Sequence, residues 1–558
     1  MPSWDPLTSF YLTVFFHILF AELKPKGGKT MQNKCRFLWQ ALLLTGVSML
    51  LRSVGVSAQV IIASKIGAEA VGVSSLISGV GGFAITLALS GIQLGCTRLV
   101  SEALGMKNTP LVHRTLRCAI AHALAFGCLS CIILLLGAPL IGRFWLRDIR
   151  TLPSLRILAL TLPFISLASC FSGYFVAVRR VYKSAGIQVI EEILRIGCTL
   201  FLLNRMVSKG LESALLALAL SSAIADISSG CVLYVLYRHD RRRHFPTVIA
   251  AKASPSYASV GRKLLSITMP VAIATYARSG LITLEHMLIP IGLQQFGHSH
   301  GDALAAYGIV HSMALPVVLF PTALLGAFAG LLIPEITEAH VRGEYTQIRG
   351  MMGRVFSLTL LYAIGTSGII IAFSYELGSF LYHSWEAAEC IRLLAPLIPI
   401  MYLDSATDAM LKGLGEQIYS MKVNIIDASV SVLLVWILIP SLGVMGYIIT
   451  IYVTELLNAA LSIVRLLNIS KLTPHVIKWV AKPLLSIVGA TCITRLLYTL
   501  IPAVLTPPEH ILALVFLICV ALFLYAILLF ITGGIQKRDV VWLRSFLYSD
   551  KECRLSLK

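Results

Sequence analysis

Residues Phe37–Ile62 read FLWQALLLTGVSMLLRSVGVSAQVII, an apolar run interrupted by a single charge at Arg52. As a helix rising 1.5 Å per residue, such a run reaches about 39 Å, enough to cross a bilayer. An arginine at that depth costs roughly 2.5–3.5 kcal/mol on insertion scales, so it turns towards a polar cavity rather than lipid. The remainder of the chain repeats the pattern: long apolar runs whose rare charges sit in mid-span. Fixed positive charge in such an interior makes an anionic cargo the first expectation.

Composition agrees. Of 558 residues, 57% are hydrophobic and 13% charged, whereas a soluble protein carries about 25% charged residues. A net charge of +19 in a soluble chain would point to nucleic acid. Here the basic residues lie between apolar runs, where they orient the chain in a membrane, and no nucleic-acid partner is expected. Cys128 and Cys131 form a C-x-x-C inside an apolar run and read as packing residues, with no zinc or disulfide spacing elsewhere.

Apolar runs place spans near 38–62, 73–95, 118–142, 155–178, 186–206, 213–236, 264–292, 304–332, 355–382, 390–411, 422–440, 444–464, 480–501 and 510–533. The expected fold is an all-α polytopic membrane protein of about fourteen transmembrane helices. Lys34, Arg36, Arg114, Arg117, Arg179, Arg180, Lys183, Arg238, Arg241–Arg243 and the tail from Lys537 share one side. Far fewer basic residues share the other, half of them within Arg143–Arg156. The asymmetry puts both termini in the cytoplasm. Residues 1–30 read as an N-terminal extension, either upstream of the native start or an interfacial segment. Their apolar run Thr8–Ala21 is short and lacks a basic flank, and Met31 resembles a natural start.

The chain also repeats itself. Leu155-Arg156-Ile157-Leu158-Ala159 resembles Ile391-Arg392-Leu393-Leu394-Ala395, 236 residues on, and Pro163 matches Pro399. Ser101-Glu102-Ala103 and Thr337-Glu338-Ala339 share that offset, as do Val189-Ile190-Glu191 and Ile425-Ile426-Asp427. Two parallel six-helix lobes follow, 31–237 and 264–466, joined by a basic cytoplasmic loop at 238–263. Two further helices lie in 467–535, and 536–558 is a basic cytoplasmic tail.

Several motifs carry a resemblance. They are Arg52-Ser53-Val54-Gly55, Ile66-Gly67-Ala68-Glu69-Ala70-Val71-Gly72, Arg98-Leu99-Val100-Ser101-Glu102-Ala103, Tyr307-Gly308-Ile309, Ile333-Pro334-Glu335-Ile336-Thr337-Glu338-Ala339 and Lys412-Gly413-Leu414-Gly415. Together they resemble the polysaccharide-export branch of the multidrug/oligosaccharidyl-lipid/polysaccharide exporter superfamily, and within it the stage V sporulation protein B group. The resemblance implies a flippase for an undecaprenyl-pyrophosphate-linked glycan, such as a peptidoglycan precursor, in a bacterial plasma membrane. Sporulation-cortex or cell-envelope synthesis would be its setting. Lipid II flippases of this superfamily use arginines in their first, second and eighth helices. Only Arg52 has a match here: the second span has no arginine before Arg98, and the eighth carries His311.

The charges within spans are the candidate site residues. Arg52 and Arg278 lie at corresponding places in the two lobes and, with Arg195, are candidate substrate ligands, because guanidinium forks onto phosphate oxygens. Pairing with a carboxylate is the plainer reading of each. Glu285 lies two turns from Arg278, and Glu191 one turn from Arg195. Glu285, Asp404, Asp408, Asn424 and Asp427 are candidates for a coupling Na⁺ or H⁺. The expectation is a monomer in the lipid bilayer that binds a lipid-linked glycan, with no cofactor, metal or catalytic residue. A cation-coupled multidrug antiporter would suit the second-lobe carboxylates but be repelled by Arg52 and Arg278. A membrane-bound glycan polymerase or transferase would need larger external loops than these.

Overall fold

The structure is a computed structural model that describes residues 30–106, 108–207, 210–244, 256–322, 325, 336–337, 339–340, 342–471, 477–499 and 507–534. The extension before Thr30 and the tail from 536 lie outside them. So do the side chain of Arg52 and much of the expected eighth span beyond Thr322. Among the described residues every element is helical.

Twelve helical segments are long and apolar enough to cross a membrane. Two differences separate this number from the fourteen spans expected. Ser57–Gly105 counts once although it takes in the end of the first expected span and the whole of the second. Val181–Met206 has the length, 26 residues, but carries Glu191, Glu192 and Arg195.

Thr30–Leu89 breaks at Gly67, whose φ of 80° and ψ of 167° lie outside helical space. The break yields α1 (30–66) and α2 (68–89), and only glycine adopts that conformation without strain. A second interruption follows at Ser90 and Gly91, with φ of 43° and 69°, before α3, Ile92–Gly105. Hydroxyls from other helices satisfy carbonyls near the end of α2. Ser130 donates to Ala84 O at 2.7 Å, Ser166 to Ala88 O at 2.9 Å and Tyr276 to Leu87 O at 3.2 Å. In lipid such groups have no water to turn to.

The first lobe continues with α4 (Thr109–Leu140), α5 (Leu152–Ala177), α6 (Val181–Met206) and α7 (Leu211–His244). The second holds α8 (Tyr257–Phe296) and α9 (His300–Gly308), which runs on through Leu319. Next come α10 (Tyr345–Ala372), α11 (Ser374–Tyr382), α12 (Trp385–Leu394), α13 (Ile398–Gly413), α14 (Gln417–Leu442) and α15 (Val444–Ser470). The added helices α16 (Lys482–Thr499) and α17 (Pro507–Ile531) pack on α10, where Gly368 admits Ile487 and Gly365 admits Tyr525.

Helices α7 and α8 both extend into the stretch expected as a basic loop. Hydropathy marks where lipid begins, not where a helix ends. Arg238–Arg242 continue α7 in helical form, and Asp240, 1% exposed, accepts hydrogen bonds from Lys183 at 2.7 Å, Tyr174 at 2.9 Å and Arg180. If the basic side is cytoplasmic, a cysteine at Arg242 stays unlabelled by an impermeant reagent in intact cells and one at His298 reacts. The reverse pattern would invert the orientation.

The lobes meet along two matching seams. On one, α8 lies on α2: Thr283 Oγ1 donates to Gly79 O at 3.2 Å, and the hydroxyls of Thr86 and Ser279 are 3.2 Å apart. On the other, α1 lies on α9, where Gln59 Nε2 donates to Ser312 O at 3.2 Å. Each lobe's first helix therefore rests on the other lobe's second.

Between the seams α2 crosses α9 at backbone contact. A Cβ on Gly72 would lie 2.0 Å from Leu304 O, and one on Gly308 would lie 2.5 Å from Ala68 O. Gly72 and Gly308 are themselves 236 residues apart. Two copies of one repeat position touch each other, as residues on a pseudo-two-fold axis do.

Candidate substrate cavity between the lobes

Beneath that crossing lies a cavity of about 720 Å³. Gln59 and Ile66 of α1 form its walls with Ser74, Ser75 and Ser78 of α2, Arg195 and Thr199 of α6, and Ser222 of α7. The second lobe closes it with His286 of α8 and His311, Ser312 and Phe320 of the α9 segment. A hydrogen bond between the Ser75 and Ser312 hydroxyls links the two sides. The lining mixes uncharged polar side chains with apolar ones, among them Val71, Leu218, Leu315 and Leu319, and Arg195 is its one arginine among the described residues.

That arginine is not idle. Arg195 meets Glu191 at 2.7 Å, Glu192 at 3.5 Å and Asp226 of α7 at 3.2 Å. The three carboxylates outweigh its charge, so a phosphate at Arg195 must compete with partners already in place. The sequence reading anticipated Glu191; Asp226 lies 31 residues away on the next helix and was missed, though it too is a lone acid in mid-span. Arg278 is not among the residues lining the cavity. It is exposed on α8 and interacts electrostatically with Asp427 of α14. Arg52 belongs to α1, the helix that supplies Gln59 to the wall, but its side chain is outside the described residues.

The second-lobe acids divide into two groups. Asp408 is held by Lys412 at 2.5 Å and by the Ser420 hydroxyl, and the Asn424 amide donates to Ser420 O at 2.8 Å. Their needs are met locally. Glu285, Asp404 and Asp427 are instead gathered with Glu455 of α15, all within electrostatic reach of one another in a chain. Asn458 Nδ2 donates to Asp404 Oδ2 at 3.2 Å, yet Asp404 Oδ1 and Asp427 Oδ1 are buried without a hydrogen-bond partner. Glu455 was also missed, although an acid near the middle of the 444–464 span carried the same signal as Asp427. Among the described residues no three His, Cys, Asp or Glu side chains are placed to hold a metal ion.

A polar clamp caps the end of the first lobe from which α5 starts. Arg150 meets Asp148 at 2.6 Å and Glu69 at 2.9 Å. Burial pushes the Asp148 carboxyl up, but hydrogen bonds from the Arg150 side chain and backbone, with its charge, outweigh this and hold it below the usual range. The stabilisation is therefore present above about pH 4, the unfolded value, and is lost as pH falls through the lower folded one. Arg150→Ala should cost about 1–3 kcal/mol by leaving Asp148 unpaired. A thermal midpoint unchanged at pH 7 would refute this.

Comparisons with known proteins accord with this architecture. Residues 37–297 match the family described as polysaccharide biosynthesis protein, and residues 294–437 match the MatE family. Stage V sporulation protein B of Bacillus subtilis (strain 168) is 26% identical over 459 residues, covering 80% of this chain and 86% of that protein. Lipid II flippase MurJ of the same organism is 24% identical over 376 residues, covering 63% and 68%. Among solved structures, an inward closed conformation of lipid II flippase MurJ superposes with a TM-score of 0.64 at 15% identity, covering 89% of this chain and 99% of that one. An inward-facing multidrug resistance MATE transporter gives 0.57 at 14% identity, covering 78% and 100%. At such identities the structural likeness shows the fold alone.

Proposed function

The chain belongs to the multidrug/oligosaccharidyl-lipid/polysaccharide exporter superfamily, and from that membership and the cavity we propose that it flips a lipid-linked, pyrophosphate-bearing glycan by alternating access. Membership makes it a multi-pass membrane transporter and sets aside the glycan polymerase reading. The observation that carries the proposal is a cavity between two lobes, lined by serines, Gln59 and Arg195 among apolar side chains, beside the Gly72–Gly308 crossing. Serine and glutamine side chains suit glycan hydroxyls, and α1 brings Arg52 for the diphosphate. Relatives described as a lipid II flippase and a sporulation protein support a peptidoglycan precursor as cargo in cell-envelope or sporulation-cortex synthesis in a bacterial plasma membrane. The decisive experiment follows a fluorescent undecaprenyl-pyrophosphate glycan in proteoliposomes. Flipping well above empty vesicles is expected, and none would end the reading.

Coupling falls to the second-lobe acids. A lone buried carboxylate oxygen can take a proton without other ligands, so Asp404, Asp427 and Glu285, with Glu455 beside them, serve H⁺ rather than Na⁺. Asp408 and Asn424 are bonded instead to Ser420. A pH gradient should speed flipping several-fold in the wild type and leave Asp404→Asn unchanged. Stimulation by a Na⁺ gradient alone would reverse the assignment. The rival cargo, an organic cation, draws on the carboxylates around Arg195; accumulation of a fluorescent cation by the same vesicles would favour it.

A further inference from the structure

The corner between α4 and α5 is built twice in this chain. In the first lobe α4 ends in a π-helical turn, Ile141–Trp145, Arg147 takes a φ of 52°, and the Asp148 side chain caps the turn that leads into α5. In the second lobe, 236 residues on, Gly378 matches Gly142, His383 takes a φ of 50°, and the Ser384 side chain caps α12. The backbone device is shared, but its side chains are not. Where the first lobe has Arg143 and Arg147, the second has Ser379 and His383. Arg156 does have a counterpart in Arg392, yet Arg392 Nη1 donates to the Tyr375 hydroxyl at 2.9 Å and the guanidinium lies over that ring. The turn therefore folds without the arginines of the first lobe, and folding does not account for them.

Arg143, Arg147 and Arg156 are all exposed, and among the described residues none makes a side-chain hydrogen bond or ion pair. Asp148 and Glu69, the acids nearest in the corner, are both taken by Arg150. Glu212 of α7 bonds to none of the three. These bare charges stand on the side where the chain otherwise keeps few basic residues.

The surroundings narrow what meets them. Leu129, Ile133, Leu136 and Leu140 make an exposed stripe along α4, and Phe144, 68% exposed, carries it to the arginines. Trp145 and Ile149 are exposed beside it. The apolar span of α4 ends at Trp145 and that of α5 begins at Ile149. Exposed apolar residues along a span face acyl chains, and aromatic residues at its end lie at head-group level. Arg143 and Arg147 thus sit in the layer of lipid phosphates, and Arg156, one turn into α5, reaches it with its long side chain. None of them lines the cavity between the lobes. A protein partner would have to displace lipid from the stripe, whereas one phospholipid fills stripe and arginines together.

We infer that Arg143, Arg147 and Arg156 bind the phosphate of an anionic phospholipid in the leaflet opposite the basic loops. Guanidinium forks onto phosphate oxygens, and each basic residue near an anionic surface adds attraction. The matching corner of the second lobe exposes Glu386 and Glu389, so the lipid ties down one lobe and not the other. The site is independent of what the transporter carries.

Quenching of tryptophan fluorescence by brominated phospholipids tests this with the full-length protein in bilayers. The bilayers hold equal parts of phosphatidylglycerol and phosphatidylcholine, with one or the other brominated. The share of Trp145 is the difference between the wild type and Trp145→Phe. Trp145 should prefer brominated phosphatidylglycerol by about tenfold. Replacing Arg143, Arg147 and Arg156 together by Gln should abolish the preference, while replacing them by Lys should keep most of it and show that the corner still folds, because lysine keeps the charge. High salt should weaken the preference in the wild type itself, since exposed charges are screened. Equal quenching by the two lipids in the wild type would overturn the inference and give the patch to an acidic protein instead. A preference that survives the Gln substitutions, or one that salt leaves unchanged, would also overturn it.

Discussion

Gly72→Leu should reduce flipping at least tenfold while the protein still folds. The site is a contact between backbones. A Cβ there would stand 2.0 Å from Leu304 O and 2.8 Å from Leu304 C, and no rotamer relieves an overlap with a main chain. Leucine is a better helix former than glycine by up to about 1 kcal/mol, so α2 itself loses nothing. The crossing of α2 and α9 must separate instead, and the lobes lose the state in which this end is shut. Gly308→Leu should do the same, because its Cβ would meet Ala68 O at 2.5 Å and Gly72 N at 2.8 Å. The second readout is access. A cysteine at Ser78, in the cavity lining, should react from outside with an impermeant reagent in either variant and stay protected in the parent. Flipping at the wild-type rate with the cavity still protected would show that the crossing is not a gate.

That crossing also shows what the sequence could tell and what it could not. Both glycines stood inside motifs quoted for other reasons, and their spacing equals the repeat offset seen at Leu155 and Ile391. The repeat was legible because Arg, Pro and acidic residues recur at fixed distance. That these two copies touch is a fact of three dimensions, which no spacing states. Mid-span charges were legible for a similar reason: each is too costly in lipid to be incidental. Their partners were not. Arg195 reads as an i, i+4 pair with Glu191, yet Asp226 on the neighbouring helix makes the group acidic. Arg278 looked like the counterpart of Arg52 in a shared cleft, and the structure sets it beside Asp427, outside the cavity lining. The π-helical turn Ile309–Ala314 that carries His311 leaves no periodic signature, since one extra residue in a helix is invisible in an apolar run. Hydropathy also ended α7 too early, because Arg238–Arg242 are helical without being apolar.

Arg52→Ala should abolish flipping in a protein that still inserts and melts normally. The expectation follows from balance of charge. If Arg195 is occupied by three carboxylates and Arg278 lies beside Asp427, Arg52 is the remaining candidate arginine to meet a diphosphate. Loss of a charge-assisted contact is worth roughly 1.5–3 kcal/mol, or about one to two decades of affinity. Arg52→Lys should recover part of it, because an ammonium keeps the charge but loses the fork onto two oxygens. A structural partner would behave otherwise: the alanine variant would express poorly or melt early, and lysine would restore stability without a separate effect on cargo. The two roles therefore part on one pair of measurements, thermal midpoint and flipping rate. A well-folded Arg52→Ala protein that flips a pyrophosphate-linked lipid at the wild-type rate would remove Arg52 from the site.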